Sequence, residues 1–293
     1  MTFNAERQMQ RLERKLKALK EKNYIPDALL EIVARTAAIQ LDARSRVKVE
    51  LPEELASIEA HAQGAPLLGR DAFPYDRAVT AQVFGRLLGM LRAAGGSLGA
   101  AAEVVRQSIE KGELSIEGAC DAMLRDDAAF FSTWAERLPD APSLVRFLAL
   151  GSLVPSLEAT AELLALRRDA ESVWQHGHCP LCGSAALISH LADKEGVRRH
   201  TCSFCRHEYR AARLQCPYCL EKDPEKLEYF TADGEPGFQV HVCRTCDTYI
   251  KVADFREFDR EAIPVLDDLE SLALDILARQ QGFERPTASA WGF

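Results

Sequence analysis

The chain has 293 residues, a formal net charge of −8, and 47% hydrophobic and 27% charged residues. That length calls for about two domains with a sizeable core, in a composition ordinary for a globular protein. The acidic balance works against a protein whose main task is gripping a nucleic-acid backbone, and no run approaches the ~20 consecutive apolar residues that a membrane helix needs.

Residues 1–7 are polar and lack an apolar signal region, so a cytoplasmic location is expected. Residues 4–22 read as a charged amphipathic helix with Met9, Leu12, Leu16 and Leu19 on one side. Pro26 opens a second helix over 27–46. Residues 51–75, with Pro52, Pro66, Pro74, Gly64 and Gly69, read as connector with at most one short helix. Asp76 is placed to cap a helix that runs to about Ala94, where Gly95-Gly96 stops it and Ser97 can cap the next. Gly112 ends that one. Ser115 can cap a further helix carrying Cys120, and Pro139 and Pro142 break the pattern. Ser143 then starts a strongly apolar helix, which Pro155 is expected to interrupt before a last helix to about Asp169. About seven helices with short connections make an α-bundle. No glycine-rich phosphate loop, Ser/His pairing or His/Asp/Glu cluster marks this half as catalytic. Cys120, among Ala119, Ala122 and Met123, reads as a buried structural thiol.

At Trp174 the helical period gives way to short alternating runs and turn signals. Eight of the nine cysteines fall here, as the pairs Cys179/Cys182, Cys202/Cys205, Cys216/Cys219 and Cys243/Cys246. Two residues between cysteines let both sulfurs of a tight turn face one ion, and two such knuckles joined by a hairpin complete a tetrahedral four-sulfur site. The spacers supply the hairpins. Residues 186–191 and 197–201 read as strands around the turn Asp193-Lys194-Glu195-Gly196, with a third strand over 208–214. Residues 227–231 and 238–242 repeat the plan around Asp233-Gly234-Glu235-Pro236-Gly237, with a third strand over 249–252. Both copies open on Cys-Pro-x-Cys: Cys179-Pro180-Leu181-Cys182 and Cys216-Pro217-Tyr218-Cys219. Sequential pairing follows, with pairs one and two on one metal and pairs three and four on the other. A cross-braced arrangement is the competitor. Thioredoxin-like redox pairs are disfavoured because no βαβ pattern surrounds them.

A four-sulfur site suits zinc or a single iron, and no spacing rule separates the two. Protein ligands fill all four positions in either case, so no metal-activated water is expected. His176, His178, His190, His200, His207 and His241 lie in or beside this region and read as supporting or exposed side chains rather than ligands. Arg198, Arg199, Arg206, Arg210 and Arg213 form a basic cluster, balanced by acidic residues over the same region, and read as a solvated or protein-docking face. Beyond 264, Leu266, Leu269, Leu272, Leu274 and Leu277 restore helical spacing, and residues 285–293 read as a loose tail.

The string Trp174-Gln175-His176-Gly177-His178-Cys179-Pro180-Leu181-Cys182-Gly183-Ser184 resembles the entry motif of the formate dehydrogenase accessory protein family FdhE. Cys202-Ser203-x-Cys205, Cys216-x-x-Cys219 and Cys243-x-x-Cys246 with Tyr249 and Lys251 continue the resemblance. So do Leu266-Asp267-Asp268-Leu269, Leu274-Asp275 and Gly282-Phe283. It is specific from Trp174 to about Phe283 and looser over Pro66, Leu67, Leu68, Phe73-Pro74 and Asp76.

The resemblance implies a cytoplasmic, non-catalytic maturation factor that acts on the catalytic subunit of formate dehydrogenase before or during assembly. It implies iron in two rubredoxin-like modules, with zinc as the alternative metal, and Cys179, Cys182, Cys202, Cys205, Cys216, Cys219, Cys243 and Cys246 as the ligands. No catalytic residue and no other cofactor-binding residue is expected. The acidic Asp267-Asp268 segment and the helical domain become possible partner surfaces. The expected fold class is α plus small β. It divides into a helical domain over 1–172, four-cysteine ribbons over 173–214 and 215–256, and a C-terminal helix and tail over 257–293. Two other functions compete: a nucleic-acid-binding zinc ribbon and a rubredoxin-like electron-transfer protein.

Overall fold

A computed structural model describes residues 3–22 and 24–289. It contains α1 (Ala5–Glu21), α2 (Asp27–Arg44), α3 (Ile58–Ala62), a 3₁₀ turn at Arg70–Ala72, α4 (Arg77–Ala94), α5 (Gly96–Glu110), α6 (Ile116–Leu124), α7 (Ala128–Arg137) and α8 (Leu144–Ala165). Six strands follow: β1 (Ala186–Ala192), β2 (Val197–Cys202), β3 (Glu208–Arg210), β4 (Leu227–Phe230), β5 (Phe238–Cys243) and β6 (Thr248–Ala253). Helices α9 (Pro264–Glu270) and α10 (Leu272–Gln280) close the order. The architecture is the expected helical N-terminal region followed by a small sheet and C-terminal helices.

The chain packs as two compact units. The first is the described part of Met1–Leu51 with Arg70–Thr160, and the second is Pro52–Gly69 with the described part of Ala161–Ala290. This grouping differs from the four segments read along the sequence. The connector over 52–69 and both ribbons share one unit, because the connector's backbone hydrogen-bonds to the first cysteine knuckle.

In the first unit, the caps follow the local chemistry. Asn4 Oδ1 accepts from Arg7 N, Asp76 Oδ1 from Val79 N, and Ser115 Oγ from Gly118 N. Ser97 is not a cap: α5 already begins at Gly96, behind Gly95 with φ 71°. The single helix expected after Ser115 is two. Asp126 takes φ 56° and Asp127 Oδ1 caps a new helix on Phe130 N, so α6 ends before α7 begins. The core is built on α4, which contacts α2, α5 and α6, with Val83, Phe84 and Leu87 fully buried.

Helix α8 runs unbroken through Pro155. A proline there removes the N–H that would serve the carbonyl four residues earlier, which is Gly151 O. Gln40 Nε2 donates to that carbonyl at 2.8 Å and takes the place of the missing bond. Ser152, Ser156 and Thr160 form a fully buried polar stripe on α8. Ser152 Oγ donates to Ala149 O, Ser156 Oγ accepts from Asp76 N, and Thr160 Oγ1 donates to Pro74 O. By length and composition α8 could cross a membrane, but 83% of its most apolar stretch is buried within the protein, as in a core helix.

In the second unit the strands form one sheet in the order β3-β2-β1-β6-β5-β4. Each ribbon contributes an antiparallel three-stranded half. The halves join where β1 runs parallel to β6, with Ser189 opposite Val252 and His190 opposite Ala253. Strands β1 and β6 are thereby central, and Ile188, Ser189, Lys251 and Val252 are almost completely buried. On β5, Phe238, Val240 and Val242 alternate onto one face and pack with Tyr249, Phe255, Leu274, Ala278 and Phe283, which brings α10 against the second ribbon.

Candidate metal centres

The two sequential cysteine sets come together as two separate clusters. In each, the four sulfurs lie within 4.8 Å of one another. At the first, Cys179 Sγ is 3.7 Å from Cys205 Sγ and Cys182 Sγ 3.4 Å from Cys202 Sγ. At the second, Cys216 Sγ is 3.8 Å from Cys246 Sγ and Cys219 Sγ 3.6 Å from Cys243 Sγ. Disulfides require about 2.05 Å, and all nine cysteines are free. A tetrahedron with metal–sulfur bonds of about 2.3 Å has sulfur–sulfur edges of about 3.8 Å. The donor sets therefore fit a four-coordinate ion, and either cluster could hold one. Cross-bracing is not what the fold produces.

The knuckles present their sulfurs through backbone donors. Leu181 N reaches Cys179 Sγ, Phe204 N and Cys205 N reach Cys202 Sγ, and Tyr218 N reaches Cys216 Sγ, each at 3.4 Å. At the first cluster burial pushes the Cys179 and Cys205 thiols well up, whereas hydrogen bonds from neighbouring thiols overcome burial at Cys182 and hold it well below its ordinary value. At the second, burial raises Cys216, partial desolvation together with the neighbouring thiols raises the more exposed Cys219, and Thr248 Oγ1 and the other thiols outweigh burial at Cys246 and lower it. Each cluster favours one thiolate and opposes ionisation of two others. A cation is what permits all four to ionise together.

The two clusters differ in access. All four cysteines of the first are buried, but Cys219 is exposed and Cys246 half-exposed at the second. The first is covered by the connector. Leu67 N donates to Pro180 O at 2.9 Å and Leu68 N to Leu181 O at 3.0 Å, so the knuckle's carbonyls bind connector residues that carry no helix or strand pattern in the sequence. His61 stacks on Trp174 at 4.7 Å, and His178 Nε2 lies 2.8 Å from Gly64 O. The composite Pro66-Leu67-Leu68 was the available signal for this contact. Gly183, at φ 77°, lets Pro66 close on the same knuckle, where a Cβ would stand 3.2 Å from its ring.

Ribbon joins ribbon through further polar contacts. Tyr218 Oη donates to Ala186 O at 3.1 Å, and Gln215 Nε2 to Gln175 O at 3.0 Å. Gly177, at φ 78°, lies so close to the second knuckle that a Cβ would sit 2.3 Å from Pro217 O.

The histidines stay outside both clusters: among the described residues every grouped ligand atom is a cysteine sulfur. His200 is buried with Nδ1 2.7 Å from Ser189 Oγ, and His190 faces Glu208 at 3.5 Å. The arginine cluster does not form one solvated face. Arg199 and Arg210 both engage Glu171, and Arg198 is buried. Cys120 is fully buried, 3.9 Å from Ser152 Oγ, and burial pushes its thiol up to about 12.

Two sequence expectations about the C-terminal part are overturned. Asp267 and Asp268 are each 1% exposed and offer no partner surface. Asp267 Oδ2 accepts from Ile263 N and starts α9, and Asp268 binds Lys251 and Arg285. The tail is also not loose at its start. Its first residue, Arg285, donates to Leu187 O at 3.0 Å and to Asp268 Oδ1 at 2.6 Å, and Glu284 just before it bridges Thr248. Residues 290–293 of that tail lie outside the described residues. Lys251, fully buried in the central strand β6, also meets Asp275 at 2.6 Å, which in turn accepts from Tyr249 Oη at 2.7 Å. Two cations face two carboxylates, so the network is neutral and ties α9, α10, β6 and β1 together.

The profile described as "FdhE, C-terminal domain" matches residues 214–290, which hold the second cysteine cluster, α9 and α10. The "Protein FdhE" of Escherichia coli (strain K12) is 26% identical, with 95% of this chain and 86% of that one covered. The crystal structure of the FdhE protein from Pseudomonas aeruginosa superposes with a TM-score of 0.63 at 25% identity, covering 97% of this chain and 94% of that one. The chain belongs to the FdhE family. An FdhE homolog from Aquifex aeolicus is 30% identical over 153 residues, and this chain spans about half of that relative's length (53%). The motifs that carried the resemblance lie at the knuckles, on the connector over the first cluster, and in the buried Lys251–Asp268–Asp275–Arg285 network.

Proposed function

We propose that the protein is an accessory factor that binds the catalytic subunit of formate dehydrogenase in the cytoplasm, before or during its assembly, and performs no catalysis itself. The observation that carries this reading is the likeness to FdhE proteins along almost the whole chain, in sequence and in fold. The chemistry of the clusters supports it. Four thiols per site leave no open coordination position for a substrate or an activated water. The ligands are Cys179, Cys182, Cys202 and Cys205 in one centre and Cys216, Cys219, Cys243 and Cys246 in the other. The proposed metal is iron in both, with zinc the alternative.

A pull-down with the tagged full-length chain from cytoplasmic extract is expected to recover a formate dehydrogenase catalytic subunit. Recovery of nucleic acid with no such subunit would reject the reading. Anaerobic purification with elemental analysis and an absorbance scan decides the metal: a colourless protein holding only zinc excludes a redox role. Electron transfer is the second reading. The exposed Cys219 favours it, since a site open on one side can exchange electrons with a docked partner, and it requires that the metal be iron.

A further inference from the structure

Among the described residues, Arg198 is a buried cation without a carboxylate partner. It stands on β2 of the first ribbon and is 4% exposed. Its hydrogen bonds end on neutral atoms: Nη1 donates to Arg213 O at 3.0 Å, and Nη2 lies 3.4 Å from His241 Nδ1. His241 Nε2 is 2.9 Å from Gln239 Oε1, so the ring donates there and offers Nδ1 as acceptor to the arginine. Arg198 Nε has no acceptor among the described residues. Lys251 and Arg285, also deeply buried, each face Asp268 and Asp275. A buried charge left alone is costly, so an opposite charge is expected close by.

The second cysteine cluster is placed to supply it. Arg198 lines a cavity of about 90 Å³ whose wall includes Cys216 and Cys243. Among the described residues the only carboxylate on that wall is Glu228, which is exposed and committed to Arg244 through two 3.0 Å bonds. Burial pulls the Arg198 guanidinium down to about 10, and Cys216 is the largest influence acting the other way. Four thiolates around a divalent ion retain two negative charges, and around a trivalent ion one. The first centre has Arg168 in the field of Cys179, but that side chain is only half-buried and keeps contact with water.

We propose that Arg198 is the built-in countercharge of the second metal centre, so that the ribbon holding one metal stabilises the metal held by the other. Loading the second centre gives the guanidinium its partner, and the guanidinium in turn makes the loaded, negatively charged centre more favourable. The inference rests on metal binding at the cysteines and not on the identity of the client. Metal content of the unaltered protein tests that premise separately.

The experiment uses the full chain loaded with Zn²⁺ and transferred into excess chromophoric chelator. The ion that Cys219→Ser removes identifies the second centre. Arg198→Met is expected to speed release from the second centre by about tenfold, the size of one charge interaction at a partly screened distance, and to leave the first centre unchanged. Arg198→Lys restores the charge and is expected to recover most of the loss. In Co²⁺-loaded protein, the thiolate-to-metal absorption of the second centre should shift in Arg198→Met and return in Arg198→Lys. If Arg198→Met fails to fold by circular dichroism, Arg198→Gln provides the neutral comparison. Equal acceleration at both centres, no acceleration, or no recovery with lysine overturns the proposal.

Discussion

Gln40 and Pro155 are 115 positions apart in the sequence, yet each explains the other. A proline inside an apolar helix reads as a break because it strands a carbonyl, and the glutamine that rescues Gly151 O comes from another helix. Gln40→Met is therefore expected to destabilise the helical unit by about 1–3 kcal/mol, the cost of leaving a buried carbonyl unpaired. An unchanged urea midpoint would refute this. Gly177 was visible as part of a motif, but its reason was not: only the fold shows Pro217 O occupying the space a side chain would need. Gly177→Ala should cost about 1–3 kcal/mol for backbone strain alone, and thermal melting of the metal-loaded protein checks it. Cys120 is buried as its small apolar neighbours in the sequence announce. Its thiol, pushed up to about 12, should resist alkylation at neutral pH until the protein is unfolded.

Among elements, those with a local signature were legible. The caps at Asp76 and Ser115 and the hairpins within each ribbon follow from side chains a few residues apart. The split between α6 and α7 was missed because Asp126 adopts a left-handed backbone that aspartate visits only occasionally. The pairing of the cysteines was readable because a hairpin between two knuckles leaves them little choice. Replacing Cys179 and Cys182 together by serine is expected to abolish one bound metal and leave the other, since metal binding and local folding are linked. Loss of both ions on elemental analysis of folded protein would contradict two independent centres.

At the scale of the molecule, the buried Lys251, Asp268, Asp275 and Arg285 join the C-terminal helices to the central strands. Burial opposes ionisation of Asp268, but Lys251 and Arg285 outweigh it and hold its carboxyl below the usual value. A carboxyl lowered in the folded state adds stability above its unfolded value near pH 4 and loses it as the pH falls through the folded value. The second unit should therefore weaken progressively below about pH 4. Asp268→Asn should flatten that part of the acid profile and cost about 3–5 kcal/mol at neutral pH, because it leaves a buried cation underpaired. Acid titration followed by tryptophan fluorescence and circular dichroism measures both effects, and an identical acid profile in the variant would count against the network.

The sequence by itself determined which eight cysteines gather, in what pairs, and where the helical half gives way to ribbons, because knuckles, caps and turns are set by residues near one another in the chain. Only the tertiary structure decided what charged and loop residues do. It joined two ribbons through parallel β1 and β6, drew Pro66-Leu67-Leu68 over the first centre, and buried Asp268, Lys251 and Arg198. A polar side chain reads as solvated until its partner is known, and these partners come from distant segments that only packing brings together.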